Sequence, residues 1–420
     1  MNSKLKIGAD GKLKIGLFGF GCVGQGFYEI FSKHAFDNVE IAAICVKQSG
    51  KKRPLPESSF VFDKDVILKN PEIGLIVELI SDADEAFEIV SLALKRGLTV
   101  ISANKKMLAE HLYELIELQQ LYNGTLLYEA SCCGSIPVIR TLEDFFAYEQ
   151  VSKAKGIFNG SSNFILTKIS QDGLSYETAL RQAQDLGFAE ADPTLDVGGF
   201  DALNKLCVIA MHAFGVAIHP QNVFNFGIQN LAPSDNLFGA SKQWKLKQVA
   251  YASVLNNGQL LAYVMPQFVA GEEELHGVDE EFNAVLLEAA FSGRQFFKGK
   301  GAGAHPTGAA VFSDFKAVLD GYAYRYVKSN AAYAGLDNQA SIKVYARAKD
   351  VETLGILSFK TILEMGNIED FSYFIGEISF ESLIKEKSLL EKQNIFIAAL
   401  PDRLQDFAKK VTSEAVEVAK

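Results

Sequence analysis

Gly19-Phe20-Gly21-Cys22-Val23-Gly24 fits the spacing G-x-G-x-x-G. That spacing carries weight only between a strand and a helix. Both are predicted here: an apolar run from Lys12 to Phe18 leads in, and a helical pattern through Phe27, Ile30 and Phe31 leads out. In such a turn Gly19 permits the tight bend. Gly21 lets the backbone approach a pyrophosphate, and Gly24 lets the helix lie close on the strand. Phe20, Cys22 and Val23 fill the positions between, where helix N–H groups and a partial positive charge face a phosphate. The alternative is a glycine-rich turn that only shapes the chain.

The flanking sequence repeats the alternation. Val39 to Val46 and Ile73 to Ile80 are nearly continuous apolar runs, as expected of strands buried on both faces. Ala86 to Arg96 reads as a helix closed by Gly97, Leu98 to Ser102 as a strand, Met107 to Leu121 as a helix and Thr125 to Ala130 as a strand. This is an α/β pattern: a Rossmann-type parallel sheet covered by helices. From about Val151 the rhythm changes to α+β. Tyr176 to Leu186 is a helix stopped by Gly187. Asp201 to Phe214 is too apolar for a surface helix. Gln259 to Gly271 and Asn283 to Phe291 contain strand-like runs, and Pro306 to Leu319 is a further helix. Beyond Asn338 a small third unit is expected: strand Ile342 to Ala348, helix Leu354 to Met365, strand Asp370 to Glu377, helix Glu381 to Gln393 and strand Asn394 to Ala399. At the start, KLKIG occurs at Lys4 and again at Lys12, with the hairpin signal Asp10-Gly11 between. An extension without a functional role is expected there.

Composition narrows the class. The chain has 420 residues, 48% of them hydrophobic and 22% charged, which suits two or three globular domains. A net charge of −10 argues against a nucleic-acid partner unless one face is locally basic. Five scattered cysteines form no disulfide framework and imply a reducing compartment. No run approaches about 18 apolar residues, and the polar start lacks a signal-peptide core, so a cytoplasmic enzyme away from membranes is expected.

Four stretches place chemistry on this frame. The second strand ends Val46-Lys47-Gln48-Ser49, followed by Lys51, Lys52 and Arg53, with no carboxylate to bind ribose hydroxyls. Lys47 and Arg53 thus favour NADP over NAD, unless the run is only a solvated loop. Ser102-Ala103-Asn104-Lys105 lies where parallel strands present ligands, so Lys105 is expected in the crevice rather than on the surface. Gly187 to Pro193 carries Glu190 and Asp192 in a turn suited to a substrate amine, or to a plain polar loop. Asp196 precedes Asp201 and Lys205, which stand i, i+4 on one face of the apolar helix. Partial burial at a helix start is expected to depress the lysine pKa and suit it to proton transfer; a surface salt bridge is the plainer alternative.

The chain resembles homoserine dehydrogenases from about Lys12 to Leu319. The motifs, in order, are GFGCVG at Gly19, VELI at Val77, SANK at Ser102, YEASCCGSIP at Tyr128, NGSSNFIL at Asn159, LGFAEADPTLDVGGFDALNKL at Leu186 and GKGAGAHPT at Gly299. The resemblance implies reduction of L-aspartate 4-semialdehyde to L-homoserine, and the reverse, with NAD(P)H. It implies Lys205 as proton donor, oriented by Asp201, with Lys105 assisting the polar substrate and lining the nicotinamide. Glu190 and Asp196 would hold the substrate amine, with Asn159 and Gly160 beside them. Ser102, Asn104, Lys105 and Gly303 would join the glycine turn around the cofactor. It also implies a sodium ion on Glu129 and the carbonyls of Cys132, Gly134 and Ile136, although SCCGSIP replaces the usual SVGGGIP. Leu79 to Asp82 stand where glycines are usual, Ser161-Ser162 replace threonines, and Gly308 replaces alanine. Residues 338–420 resemble a degraded ACT domain (βαββαβ), an amino-acid-sensing module. The implied partition is 1–136 with 300–325 for the dinucleotide, 137–299 for substrate and dimerisation, and the tail. A homodimer or homotetramer is implied. Two other functions fit the residues less well: reduction of another amino-acid-derived aldehyde or imine, and cofactor sensing without catalysis.

Overall fold

The structure, a computed structural model, describes residues 5–330 and 335–405. The chain divides into two compact units, Met1–Ala147 with Lys300–Val327, and Tyr148–Gly299 with Lys328–Lys420.

The first unit is a six-stranded parallel sheet built from β1 (Leu13–Phe18), β2 (Val39–Cys45), β3 (Phe60–Val61), β4 (Ile73–Glu78), β5 (Thr99–Ser102) and β6 (Thr125–Leu127). The strand order is β3-β2-β1-β4-β5-β6, all neighbours parallel. The order reverses between β1 and β4, and ligands of such sheets bind outside the carboxyl ends at that reversal. The expected Rossmann-type fold is therefore present, and it places the Gly19 turn at the reversal.

Two expectations here need correcting. β2 is not buried on both faces: Glu40 to Ala43 are half-exposed or exposed, because β3 has only two residues and pairs only with Ile44 and Cys45. β6 ends at Leu127, and Glu129 to Ser131 turn into a single 3-10 turn. The expected N-terminal hairpin closes through Gly8 N–H to Lys12 O at 2.8 Å and Gly11 N–H to Gly8 O at 3.0 Å. Lys4, the first residue of the repeat, lies outside the described residues.

The helices Cys22–Ser32 and Ala304–Leu319 meet backbone to backbone. A Cβ on Gly26 would fall 2.0 Å from Ala304 O, and one on Gly308 would fall 2.6 Å from Gly26 C. This accounts for glycine at 308. Gly308→Ala is expected to destabilise the protein by about 1–3 kcal/mol, as over-packed contacts do, and to lower Tm in thermal unfolding.

The second unit holds one ten-stranded sheet made of β7 (Val151–Ile157), β8 (Phe224–Asn225), β9 (Trp244–Val254), β10 (Leu260–Ala270), β11 (Phe282–Ala289), β12 (Gly293–Lys300), β13 (Ser341–Ala348), β14 (Thr361–Ile368), β15 (Phe371–Ser379) and β16 (Phe396–Ala399). The order is β12-β11-β7-β9-β10-β16-β13-β15-β14, with β8 on β10. The last four strands thus continue the sheet of the substrate region. The helix expected over Leu354 to Met365 is largely a strand. Only Val351–Leu354 is helical, and β14 follows, paired antiparallel with β15. The run Thr361 to Met365 suits either state by local pattern, and cross-strand partners decided it. A buried pair fastens the tail: Arg347 meets Asp235 at 2.8 Å, and Tyr345 donates to the same carboxylate at 3.0 Å. Residues 406–420 of the expected tail unit lie outside the described residues.

Candidate active site

At the carboxyl end of β1, Gly19 takes φ +89°, and a Cβ there would lie 2.5 Å from Leu79 O. A Cβ on Gly24 would lie 2.5 Å from Gly19 O, so the helix can seat only on glycine. Gly21 has open space where its Cβ would be, and it leaves the start of the helix Cys22–Ser32 without a side-chain cap. Uncapped amides over open space are what a pyrophosphate requires, so these residues fit a dinucleotide. Gly303, at φ +127°, precedes the helix Ala304–Leu319 in the same unit.

Beyond β2 the side chain of Lys47 is 76% exposed and lies 3.6 Å from Glu85. Arg53 is half-buried and lies along its own loop. It donates to Gln48 O at 2.8 Å and Lys51 O at 3.2 Å, and lies 5.1 Å over Phe60, whose ring packs edge-on against Phe20. Arg53 braces the loop that presents Lys47.

Lys105 opens the helix Lys105–Tyr122, half-buried at the end of β5. Ser102 and Asn104 are buried and their side chains are committed to the fold. Ser102 Oγ donates to Glu78 Oε2 at 2.5 Å and accepts Asn104 N–H at 3.1 Å, while Asn104 Oδ1 caps Met107 N–H at 3.0 Å. Glu78 itself escaped the sequence reading. Burial pushes its carboxyl up to about 7. The signal was there: one charged residue closing an otherwise apolar buried strand.

Glu129 accepts N–H bonds from Ile139 at 2.9 Å and Arg140 at 2.7 Å, and lies 3.6 Å from the Arg140 guanidinium. Burial raises its pKa, and that of Asp314 beneath it more strongly. Cys133 and Gly134 both take φ +54°, and Ile136 O accepts Val138 N–H at 2.8 Å. Cys132 precedes them in extended conformation. A sodium ion at this loop would share Glu129 with the two amides and the guanidinium, the carboxylate oxygens keeping further lone pairs.

In the second unit, Gly199 and Gly215, both left-handed, bracket the helix Phe200–Phe214. Its apolar residues bury it almost entirely, carrying Asp201 and Lys205 inside at 7% and 6% exposure. A buried charge must be paired. Lys205 Nζ donates to Asp201 Oδ2 at 2.8 Å and to Phe158 O at 2.7 Å. Asn159 Nδ2 donates to Asp201 Oδ2 at 3.0 Å and Asp196 Oδ1 at 2.7 Å, and its Oδ1 caps Ser162 N–H at 2.7 Å. Gly160 begins that capped helix, where a Cβ would fall 2.5 Å from Glu281 O. Lys205, Asp201, Asn159 and Asp196 therefore form one connected group. Glu190 is not in it. It lies exposed in the loop, and no side chain among the described residues bonds its carboxylate. That loop is anchored by its backbone, through Gln184 to Glu190 O at 3.1 Å and Ser161 to Phe188 O at 2.5 Å.

Residues 19–129 match the family described as "Homoserine dehydrogenase, NAD binding domain", and residues 137–315 match "Homoserine dehydrogenase". The homoserine dehydrogenase of Lactococcus lactis subsp. lactis (strain IL1403) is 31% identical over 89% of this chain and 89% of its own length. The chain belongs to the homoserine dehydrogenase family. That of Bacillus subtilis (strain 168) is 30% identical over 89% of this chain and 87% of its own. Among solved structures, a homoserine dehydrogenase from Thiobacillus denitrificans superposes with a TM-score of 0.80 at 25% identity, covering 93% of this chain and 98% of that one. A hyperthermophilic archaeal homoserine dehydrogenase in complex with NADPH shares the fold, with a TM-score of 0.63 at 24% identity over 74% of this chain and 99% of its own. As a homoserine dehydrogenase, the chain is an oxidoreductase that interconverts aspartate semialdehyde and homoserine with NAD(P)H. Among the described residues, no helix is long and apolar enough to cross a membrane.

Proposed function

We propose that this homoserine dehydrogenase prefers NADP and uses Lys205 as its proton donor. The nicotinamide cofactor, when bound, supplies the hydride that reduces the aldehyde carbon. The protein's own part is to align the substrate and to deliver one proton to the nascent alkoxide. The observation that carries this is the buried Lys205, held on one side by Asp201 and on the other by Phe158 O. Two fixed acceptors hold the ammonium in place until the alkoxide develops. Asp196, tied to the same group through Asn159, is suited to a substrate amine. Glu190 is assigned the same role, reached from the loop. Lys105 is assigned to the polar end of substrate and nicotinamide.

The assay is NADPH and NADH oxidation with L-aspartate 4-semialdehyde, run in parallel. Turnover with both and a higher kcat/KM for NADPH is expected; no turnover above the blank overturns the reading. Lys47→Glu is expected to lower kcat/KM for NADPH by about tenfold, the worth of one charge-assisted hydrogen bond, and to leave NADH nearly unchanged. An equal loss with both cofactors would assign Lys47 to the fold instead.

The strand order β16-β13-β15-β14 is the antiparallel arrangement of a βαββαβ unit with a vestigial first helix, and it supports the ACT-like assignment of the tail. Whether threonine regulates through it is read by adding threonine to the same assay. The five free cysteines support a reducing, cytoplasmic setting, and a homodimer or homotetramer is the assembly we assign.

A further inference from the structure

A buried carboxyl joins the carboxyl ends of β4 and β5, and the proton-transfer chemistry does not use it. Glu78, the last residue of β4, is fully buried. Its Oε1 accepts Ile80 N–H at 2.7 Å, and its Oε2 accepts the Ser102 hydroxyl at 2.5 Å. Ser102 Oγ accepts Asn104 N–H at 3.1 Å. Asn104 Nδ2 returns to the loop where the chain of bonds began, donating to Ile80 O at 3.2 Å and Asp82 O at 3.3 Å. Leu79 N–H donates to Phe18 O at 2.8 Å, and Leu79 O is the atom that a Cβ on Gly19 would strike. One carboxyl therefore links the glycine turn, the loop Leu79 to Asp82 and the start of the Lys105 helix.

We propose that Glu78 is a positioning residue for the nicotinamide cofactor: through Ile80, Ser102 and Asn104 it holds the walls of the crevice at the β1/β4 reversal. This rests on the assignment of the cofactor to the Gly19 turn. The ionised carboxylate suits its partners, since both of them donate to it. Protonated at Oε2 it must donate to Ser102, which already accepts from Asn104 and must then turn its own hydrogen elsewhere. Burial holds the carboxyl near neutral pH, the bonds from Ser102 and Ile80 pull it down, and Glu85 on the helix Ala83–Lys95 pushes it up. Charged groups at the starts of the flanking elements include Lys47, paired with Glu85, Asp82, which caps the helix Ala83–Lys95, Asp84 in its first turn, and Lys105 and Lys106 in the first turn of the next helix. Acidification through this range is therefore expected to loosen the crevice and weaken cofactor binding.

The test is cofactor KM and kcat from about pH 6 to about pH 9 for the wild type, Glu78→Gln and Ser102→Ala. NADH is run beside NADPH, because the 2′-phosphate titrates by itself. Wild-type KM is expected to rise severalfold as pH falls through about 7. Glu78→Gln should hold the raised KM at every pH, with kcat at saturating cofactor within about twofold of wild type. Ser102→Ala removes a bond that favours the ionised form and should move the midpoint upward. A Glu78→Gln profile that superposes on wild type, or a loss confined to kcat, overturns the proposal. If Glu78→Gln does not fold, an unmoved midpoint in Ser102→Ala overturns it. Absence of turnover in the wild type overturns the cofactor assignment itself, and is told apart by that.

Discussion

Replacing Lys205 with alanine is expected to lower kcat for aspartate semialdehyde reduction by about 10²- to 10⁴-fold, the usual worth of a positioned general acid. The loss should fall on kcat rather than on cofactor KM, because the role proposed for Lys205 is proton delivery in the chemical step. The expectation follows from the connected group around Nζ. Asp201 Oδ2 takes bonds from both Lys205 and Asn159, so removing the lysine leaves a buried carboxylate with one neutral donor from that pair. Some loss of stability accompanies the change for that reason. Lys205→Arg keeps the charge and is the sharper control. Guanidinium remains protonated at any working pH and cannot give up a proton, so activity should not return. Stopped-flow oxidation of NADPH and steady-state kcat check both variants; wild-type kcat in Lys205→Ala would remove the lysine from the reaction.

Gly19→Ala is expected to raise cofactor KM by about 100-fold or more, the cost of losing two to three kcal/mol of phosphate contact. Two effects coincide at this residue. Its φ of +89° is strained for any side chain, and the added Cβ would lie 2.5 Å from Leu79 O and 2.7 Å from Leu79 C. Both are backbone atoms at the end of β4, so relief must come from opening the β1/β4 crevice itself. Gly11→Ala provides the comparison. Gly11 has φ +81°, yet nothing lies within 4 Å of its added Cβ. It should lose stability without losing cofactor affinity. Fluorescence titration with NADPH, together with thermal unfolding, separates the two. Equal cofactor affinity in Gly19→Ala and wild type would sink the pyrophosphate role of the turn.

The parallel sheet of the first unit was legible because its strands are apolar on both faces and its helices end on glycine or begin at Asn104 and Asp82 caps. The exceptions have local causes. β2 lost cover because its neighbour shrank to two residues, which no pattern in Val39 to Cys45 itself reveals. Thr361 to Met365 has the composition of either a helix or a strand, and pairing with β15 settled it. In the candidate site, the i, i+4 spacing of Asp201 and Lys205 was enough to place them together. Their joining to Asn159 and Asp196, from three separate segments, depended on how the chain folds back.

By itself the amino-acid sequence determined the glycine turn, the alternation that makes the parallel sheet, and the family to which the block from Leu186 to Leu206 belongs. These are properties of neighbours along the chain, set by φ, hydrophobic period and spacing. Only the tertiary structure decided which polar groups would be shut away together. Glu78, Ser102 and Asn104 come from different strands and loops and share one network because burial leaves a carboxyl no partner but those the fold brings to it. Arg53, only half-buried, bonds the carbonyls of its own loop because the folded backbone holds those acceptors within reach of the guanidinium.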